Sequence, residues 1–394
     1  MYLCLLPGLL LKIVGVLGKA VFLLLLAPGM SSGEFTKYFF AFTIALIVGR
    51  VLGMGADDDL TFRVKGNRSR ISHYMAGGLS YYVLSLASFI FAIASPDEMQ
   101  LAAMGVTVSL LLAGNAFTIG ALRSYNNTFQ EIRANLPWGI VCVLGAVYGV
   151  DTANSVFLYI AVSYYAIIFI EIIVVRALGI RIRHPNLKVL GIHLLRYRSW
   201  LPKALSTVGL AASIRSFPLW IGFLGYGVTD NLTYAFAIGE VTFQFCMIYV
   251  NQLHSSRRIQ STNMTRRLLV AILAFILIAI TIPSLFEFAL ALDLLGKKIT
   301  VDAPMLVVSS IYCASIGVFS LLRVLAWHRS SSITANRILV LQVLIFLIAG
   351  ALSAGREFDY MSMWYGSILN FIVMILYLKI FNKDIKPIKN SYCV

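Results

Sequence analysis

The sequence predicts an all-α, polytopic membrane protein with about twelve transmembrane helices in two six-helix lobes. Three observations carry that prediction. First, of 394 residues 59% are hydrophobic and only 12% charged, with mean hydropathy +0.85, whereas soluble domains are roughly half apolar and about a quarter charged. Second, apolar windows of about 20 residues, the length that spans a bilayer, recur along the whole chain. Third, Lys and Arg cluster in alternate connections. The net charge of +15 therefore does not read as a nucleic-acid footprint, because the chain has too little polar sequence to build a solvated cationic surface.

In chain order the predicted spans are 4–28, 37–54, 73–95, 100–122, 135–150, 153–175, 204–227, 232–253, 268–291, 304–326, 338–354 and 361–381. The weakest separation is between the fifth and sixth, where Gly149-Val150-Asp151-Thr152-Ala153-Asn154 is a slight break. The first span is too long for a signal peptide, carries Lys12 and Lys19 inside it, and is followed by no small-residue cleavage site. Cys4, Cys142, Cys246, Cys313 and Cys393 show no metal or disulfide spacing, so packing is their expected role. Four parts are expected: an N-terminal lobe 1–178, a basic cytoplasmic linker 179–203, a C-terminal lobe 204–382 and a tail 383–394. In the linker, Leu190, Ile192, Leu194 and Leu195 alternate with Lys188, Arg196 and Arg198, which suits a short surface helix.

Cytoplasmic loops carry Lys and Arg in excess. With the spans above, 25 of the 32 fall on one side, among them Arg63, Arg68, Arg181, Arg257 and Lys383, and only Lys37, Lys297, Lys298 and Arg356 on the other. Both termini are thus cytoplasmic, and most of the excess charge is an orientation signal read against anionic lipid.

A shift of 196 positions places helices 7 and 8 on helices 1 and 2. Lys19 falls on Arg215, and Tyr38-Phe39-Phe40-Ala41-Phe42 on Tyr234-Ala235-Phe236-Ala237-Ile238. Two parallel six-helix halves follow, an arrangement that puts a substrate pathway between them.

Three cations lie inside predicted spans: Lys12, Lys19 and Arg215. Each costs roughly 2.5–3.5 kcal/mol at a helix centre, so such residues face protein or water. Lys12 and Lys19 are seven apart and share a face with Gly15. They suit the lining of a cationic cavity for an anionic headgroup, Arg through its planar fork of donors and Lys as a point charge. Arg215 has a second open role, an interhelical pair with Glu240, while Lys12 and Arg50 sit where snorkelling competes with substrate contact. Glu171 is either a coupling carboxylate for proton or sodium flow or a buried polar partner. Asp57-Asp58-Asp59, beside basic residues, reads as a solvated loop. There is no Walker A loop, no His-Glu-x-x-His helix and no Ser/His/Asp set on one side of the membrane, and no cofactor is called for.

The stretch Lys12-Ile13-Val14-Gly15-Val16-Leu17-Gly18-Lys19, then Ser32-Gly33-Glu34-Phe35-Thr36-Lys37-Tyr38, then Val51-Leu52-Gly53-Met54-Gly55 resembles the start of bacterial polysaccharide transporters. In that family a Gly-bearing first helix leads to an acidic-then-aromatic start of helix 2, which ends at a Leu-Gly-hydrophobic-Gly turn. Asp230-Asn231-Leu232-Thr233-Tyr234 resembles the same start repeated. These are O-antigen or capsule repeat-unit flippases of the multidrug/oligosaccharidyl-lipid/polysaccharide exporter superfamily. The resemblance covers roughly residues 1–70 and 205–255. It implies two lobes working by alternating access, no enzymatic activity, and location in the bacterial inner membrane. The implied substrate is an undecaprenyl-pyrophosphate-linked oligosaccharide, bound by Lys19 and Arg215 with Lys12 and Arg50. Membrane lipids and the polymerase and chain-length proteins of the same pathway are the implied partners, with no nucleic acid. A small-molecule exporter of the multidrug or major facilitator class is the alternative, and an O-antigen polymerase or lipid-linked glycosyltransferase a further one. The short periplasmic connections speak against such an enzyme.

Overall fold

A computed structural model of the chain describes residues 6–54, 56, 60, 67–124, 129–195, 201, 230–255, 264–291, 303–329, 344 and 366–372. The described residues form helices and no strands. The helices are α1 (Leu6–Val21), α2 (Glu34–Leu52), α3 (Arg68–Ala94), α4 (Asp97–Ser124), α5 (Phe129–Tyr148), α6 (Ala153–Ala177), α7 (Leu187–Leu195), α8 (Asp230–Ser255), α9 (Met264–Ala291) and α10 (Ala303–Arg329). Residues 366–372 are also helical. Among the described residues, five stretches are long and apolar enough to cross a membrane: Glu34–Leu52, Arg68–Ala94, Asp97–Leu122, Ala153–Ala177 and Val270–Phe288. The predicted span 204–227, all of the span 338–354 but residue 344, Asp57-Asp58-Asp59 and the tail lie outside the described residues.

The chain divides into two compact units, the first holding α1–α7 and the second α8–α10 with 366–372. In the first, α1 packs on α5, α2 and α3 on α4, and α6 on α4 and α5; in the second, α8 and α9 both pack on α10. Under the shift of 196, Glu34 at the start of α2 falls on Asp230 in α8, and Arg68 at the start of α3 falls on Met264 in α9. Tyr38 and Tyr234, matched by that shift, are both buried. The pairing of the second and third helices on the fourth is repeated as well.

Close approach rather than apolar area distinguishes these contacts, because lipid tails are as apolar as leucine and helices in a membrane associate by tight packing. A Cβ on Gly114 of α4 would stand 2.5 Å from the Tyr82 ring of α3, and one on Gly239 of α8 would stand 2.8 Å from the Ser309 carbonyl of α10. Buried hydroxyls are paired within this packing: Tyr82 Oη lies 3.1 Å from Thr118 Oγ1, and Thr242 Oγ1 lies 3.2 Å from Ser310 Oγ. Cys246 and Cys313 are buried free thiols in the second unit, in keeping with a packing role.

The slight break between the fifth and sixth spans is a full turn in the structure. Gly149 takes a left-handed φ of +81°, a conformation that glycine adopts without steric penalty. Thr152 then caps α6, its Oγ1 accepting from the Ser155 amide at 3.3 Å. At the other face, α2 ends on Gly53 and Met54, and Met54 has φ +52°. For a non-glycine residue that geometry costs about 1–2 kcal/mol. Burial of Met54 with Ala56, Tyr81, Ala113, Phe117 and Leu190 offsets it, and Tyr81 Oη closes the helix end by donating to the Leu52 carbonyl at 2.7 Å. The predicted linker helix is α7, with Val189 and Leu190 buried against the first unit.

Candidate functional site

Helix 1 does not stay regular to its C-terminal end. After α1 the chain widens into a π-helical turn, Phe22–Leu26, and then tightens into a 3-10 turn, Ala27–Gly29. Pro28 supplies the cause, since it cannot donate to the α-helical ladder and its ring crowds the preceding turn. Lys19 stands three residues before the widened turn.

Lys19 is 3% exposed. Its Nζ lies 5.8 Å from the centroid of the Trp138 ring on α5, within the range in which a cation is attracted to an aromatic face. Gly18 makes this approach feasible, because a Cβ there would stand 3.2 Å from the Gly139 amide nitrogen. The floor beneath Lys19 is aromatic. Phe22 packs on Trp138 at 5.3 Å and on Tyr38 at 5.8 Å, and Phe42 packs on Trp138 and Phe157 at 6.0 and 6.3 Å. Four helices thus meet at one cation: α1 carries it, and α2, α5 and α6 build its support. In this conformation the ammonium is covered by protein.

The remaining candidates are scattered. Lys12 lies in α1, and its side chain is outside the described residues, as is the whole of Arg215. Arg50, in the last turn of α2, is exposed. Glu171 of α6 is 2% exposed. Glu240 of α8, ten residues in from Asp230 and so about 15 Å along the helix, is 8% exposed and accepts from Gln244 Nε2 at 3.5 Å. Among the described residues of the first unit, Lys19 is the candidate cation that the structure surrounds with aromatic side chains.

Two contributors are not evident from sequence spacing. Trp138 was hidden in an apolar run, 119 residues from Lys19. Glu34 is visible in the acidic-then-aromatic motif, yet its work is long-range: Oε2 accepts from the Ala153 amide of α6 at 2.9 Å, while Oε1 pairs with Lys37 Nζ at 2.6 Å. Ser31 N also donates to the Asp151 carbonyl at 3.1 Å. An anion at a helix N-terminus satisfies a free amide and meets the positive end of the helix dipole. Glu34→Ala is expected to lower stability by about 1 kcal/mol, the usual worth of a cap, and Glu34→Gln by less because its carbonyl still accepts. Thermal midpoints of the purified protein check the order; equal midpoints for the two variants would refute the capping role.

No protein-family profile matches the chain, and no curated protein sequence matches it. Solved structures do match over almost its whole length. The lipid II flippase MurJ in an inward closed conformation aligns with TM-score 0.61 at 15% identity, covering 97% of this chain and 88% of that one. A MATE transporter in complex with MaL6 aligns with TM-score 0.58 at 15% identity, 94% of each chain covered. A multidrug resistance MATE family transporter of the MOP superfamily, in its outward-facing conformation, gives 0.57 at 12% identity, covering 95% of this chain and 94% of that one. These likenesses fix the class: an all-helical, multi-pass membrane protein with the fold of MOP-superfamily transporters.

Proposed function

We propose that the chain is a flippase that moves an undecaprenyl-pyrophosphate-linked oligosaccharide, an O-antigen or capsule repeat unit, from the cytoplasmic to the periplasmic leaflet of a bacterial inner membrane. Lys19 is the observation that carries this reading: a cation held deep in helix 1, over a tryptophan and beside a widened turn. Pyrophosphate demands cations, and sugar rings pack on aromatic faces. The fold shared with a lipid II flippase supports a lipid-linked substrate. Both termini are assigned to the cytoplasm, and two six-helix lobes alternate access, with Arg215, Lys12 and Arg50 joining Lys19 on the substrate. Polymerase and chain-length proteins are the expected partners downstream.

Export of small organic cations is the second reading, favoured by the MATE likeness and by two buried carboxylates, Glu171 and Glu240. Deleting the gene separates the two. Loss of surface glycan, with the lipid-linked repeat unit accumulating on the cytoplasmic leaflet of spheroplasts, out of reach of an externally added glycosidase, is the expected outcome. Unchanged glycan together with increased sensitivity to cationic dyes would establish the exporter instead.

A further inference from the structure

Helix α7 and the strap before it form a surface that the transport site does not use. Gly179 turns the chain out of α6 with φ +74°, and a Cβ there would stand 3.1 Å from Arg68 Nη1. The strap is pinned to α3 by Ser72 Oγ, which donates to the Arg181 carbonyl, and by the Asn186 amide, which donates to the Ala76 carbonyl at 3.2 Å. Asn186 then caps α7, its Oδ1 accepting from the Lys188 and Val189 amides at 3.0 and 3.3 Å.

One side of α7 is accounted for by burial of Val189 and Leu190. The other presents Leu187, Ile192, Leu194 and Leu195, exposed by 62, 47, 41 and 81%. Four large apolar side chains outward on a nine-residue helix are out of place in water. Their depth is fixed by Leu190, which shares a cluster with Met54 and Tyr81. Tyr81 is bonded to the carbonyl of Leu52, the last residue of α2. So α7 lies where α2 leaves the bilayer, on the side that the Lys/Arg distribution assigns to the cytoplasm. Around it Arg68, Arg70, Arg181, Arg183 and Lys188 are exposed, and the sequence has no Asp or Glu between 60 and 96 or between 172 and 229.

An outward apolar face at the hydrocarbon boundary, ringed among the described residues by exposed cations, matches an anionic lipid leaflet in both polarity and charge. We infer that α7 is an interfacial anchor. Its leucines insert at the acyl-chain boundary, and Arg181, Arg183 and Lys188 hold anionic phospholipid headgroups.

The test places a nitroxide on Leu195→Cys in the full-length chain with its five native cysteines replaced by alanine. The protein is reconstituted into phosphatidylcholine alone or with phosphatidylglycerol added. Collision with a water-soluble nickel chelate is expected to fall, and collision with oxygen to rise, when the anionic lipid is present. Changing Arg181, Arg183 and Lys188 to Gln is expected to reverse the effect, each lost cation lowering the insertion equilibrium roughly five-fold. Because the lipid comparison uses one and the same protein, misfolding cannot mimic the result. Equal nickel access in the two bilayers, whether high or low, would overturn the proposal.

Discussion

Lys19→Met is expected to remove surface glycan almost completely while leaving the protein in the membrane. Methionine keeps the length and apolar stem of lysine and deletes only the charge. Replacing a buried charge by an apolar residue of similar size is often neutral or stabilising, whereas deleting one member of a buried ion pair costs about 3–5 kcal/mol. The two roles open to Lys19 therefore push the midpoint in different directions. A charge-assisted contact to pyrophosphate is worth about 1.5–3 kcal/mol, or roughly 10- to 100-fold in affinity, and that loss would appear in transport alone. Lys19→Arg should retain partial activity, because the cation persists but its wider head cannot sit as the ammonium sits over Trp138. Normal glycan in Lys19→Met would remove Lys19 from the mechanism. A fall in midpoint with equal loss of glycan would make it a structural residue.

Helix positions were legible in the sequence because the bilayer imposes one length and one polarity on each of them. Helix α8 follows from the same pattern, as does the surface helix α7 in the basic linker. What each helix turns toward its neighbours was not legible. In a soluble helix a polar stripe marks the outside, but here α6 exposes Phe169 and Ile173 as readily as it buries Phe157 and Ile160. With apolar residues on all sides, no periodicity tells lipid from protein. Trp138 beneath Lys19 and the hold of Glu34 on the Ala153 amide both lie across more than a hundred residues, so they emerge only when the helices are assembled. Pro28 was the one local mark of the π turn, and proline near a helix end ordinarily signals only termination.

The same limit governs Arg215, and a double substitution resolves it. Arg215 falls on Lys19 under the shift of 196, which also places buried Tyr38 on buried Tyr234. Equivalent positions in the two halves would then each offer a cation, one from Lys19 and one from Arg215, as a substrate with two phosphates requires. Arg215→Ala is accordingly expected to abolish surface glycan with the protein still in the membrane. Glu240 is the competing partner, since it is a carboxylate only 8% exposed on α8. If Arg215 exists to neutralise Glu240, the single Ala variant strands a buried carboxylate, and removing Glu240 as well should restore both stability and glycan. If Arg215 binds pyrophosphate, Arg215→Ala/Glu240→Ala stays inactive even where its stability recovers, because nothing replaces the lost donor fork. Glycan restored in the double variant would sink the substrate role. Stability restored without glycan would show both functions in one residue, with pairing at rest and substrate binding during transport.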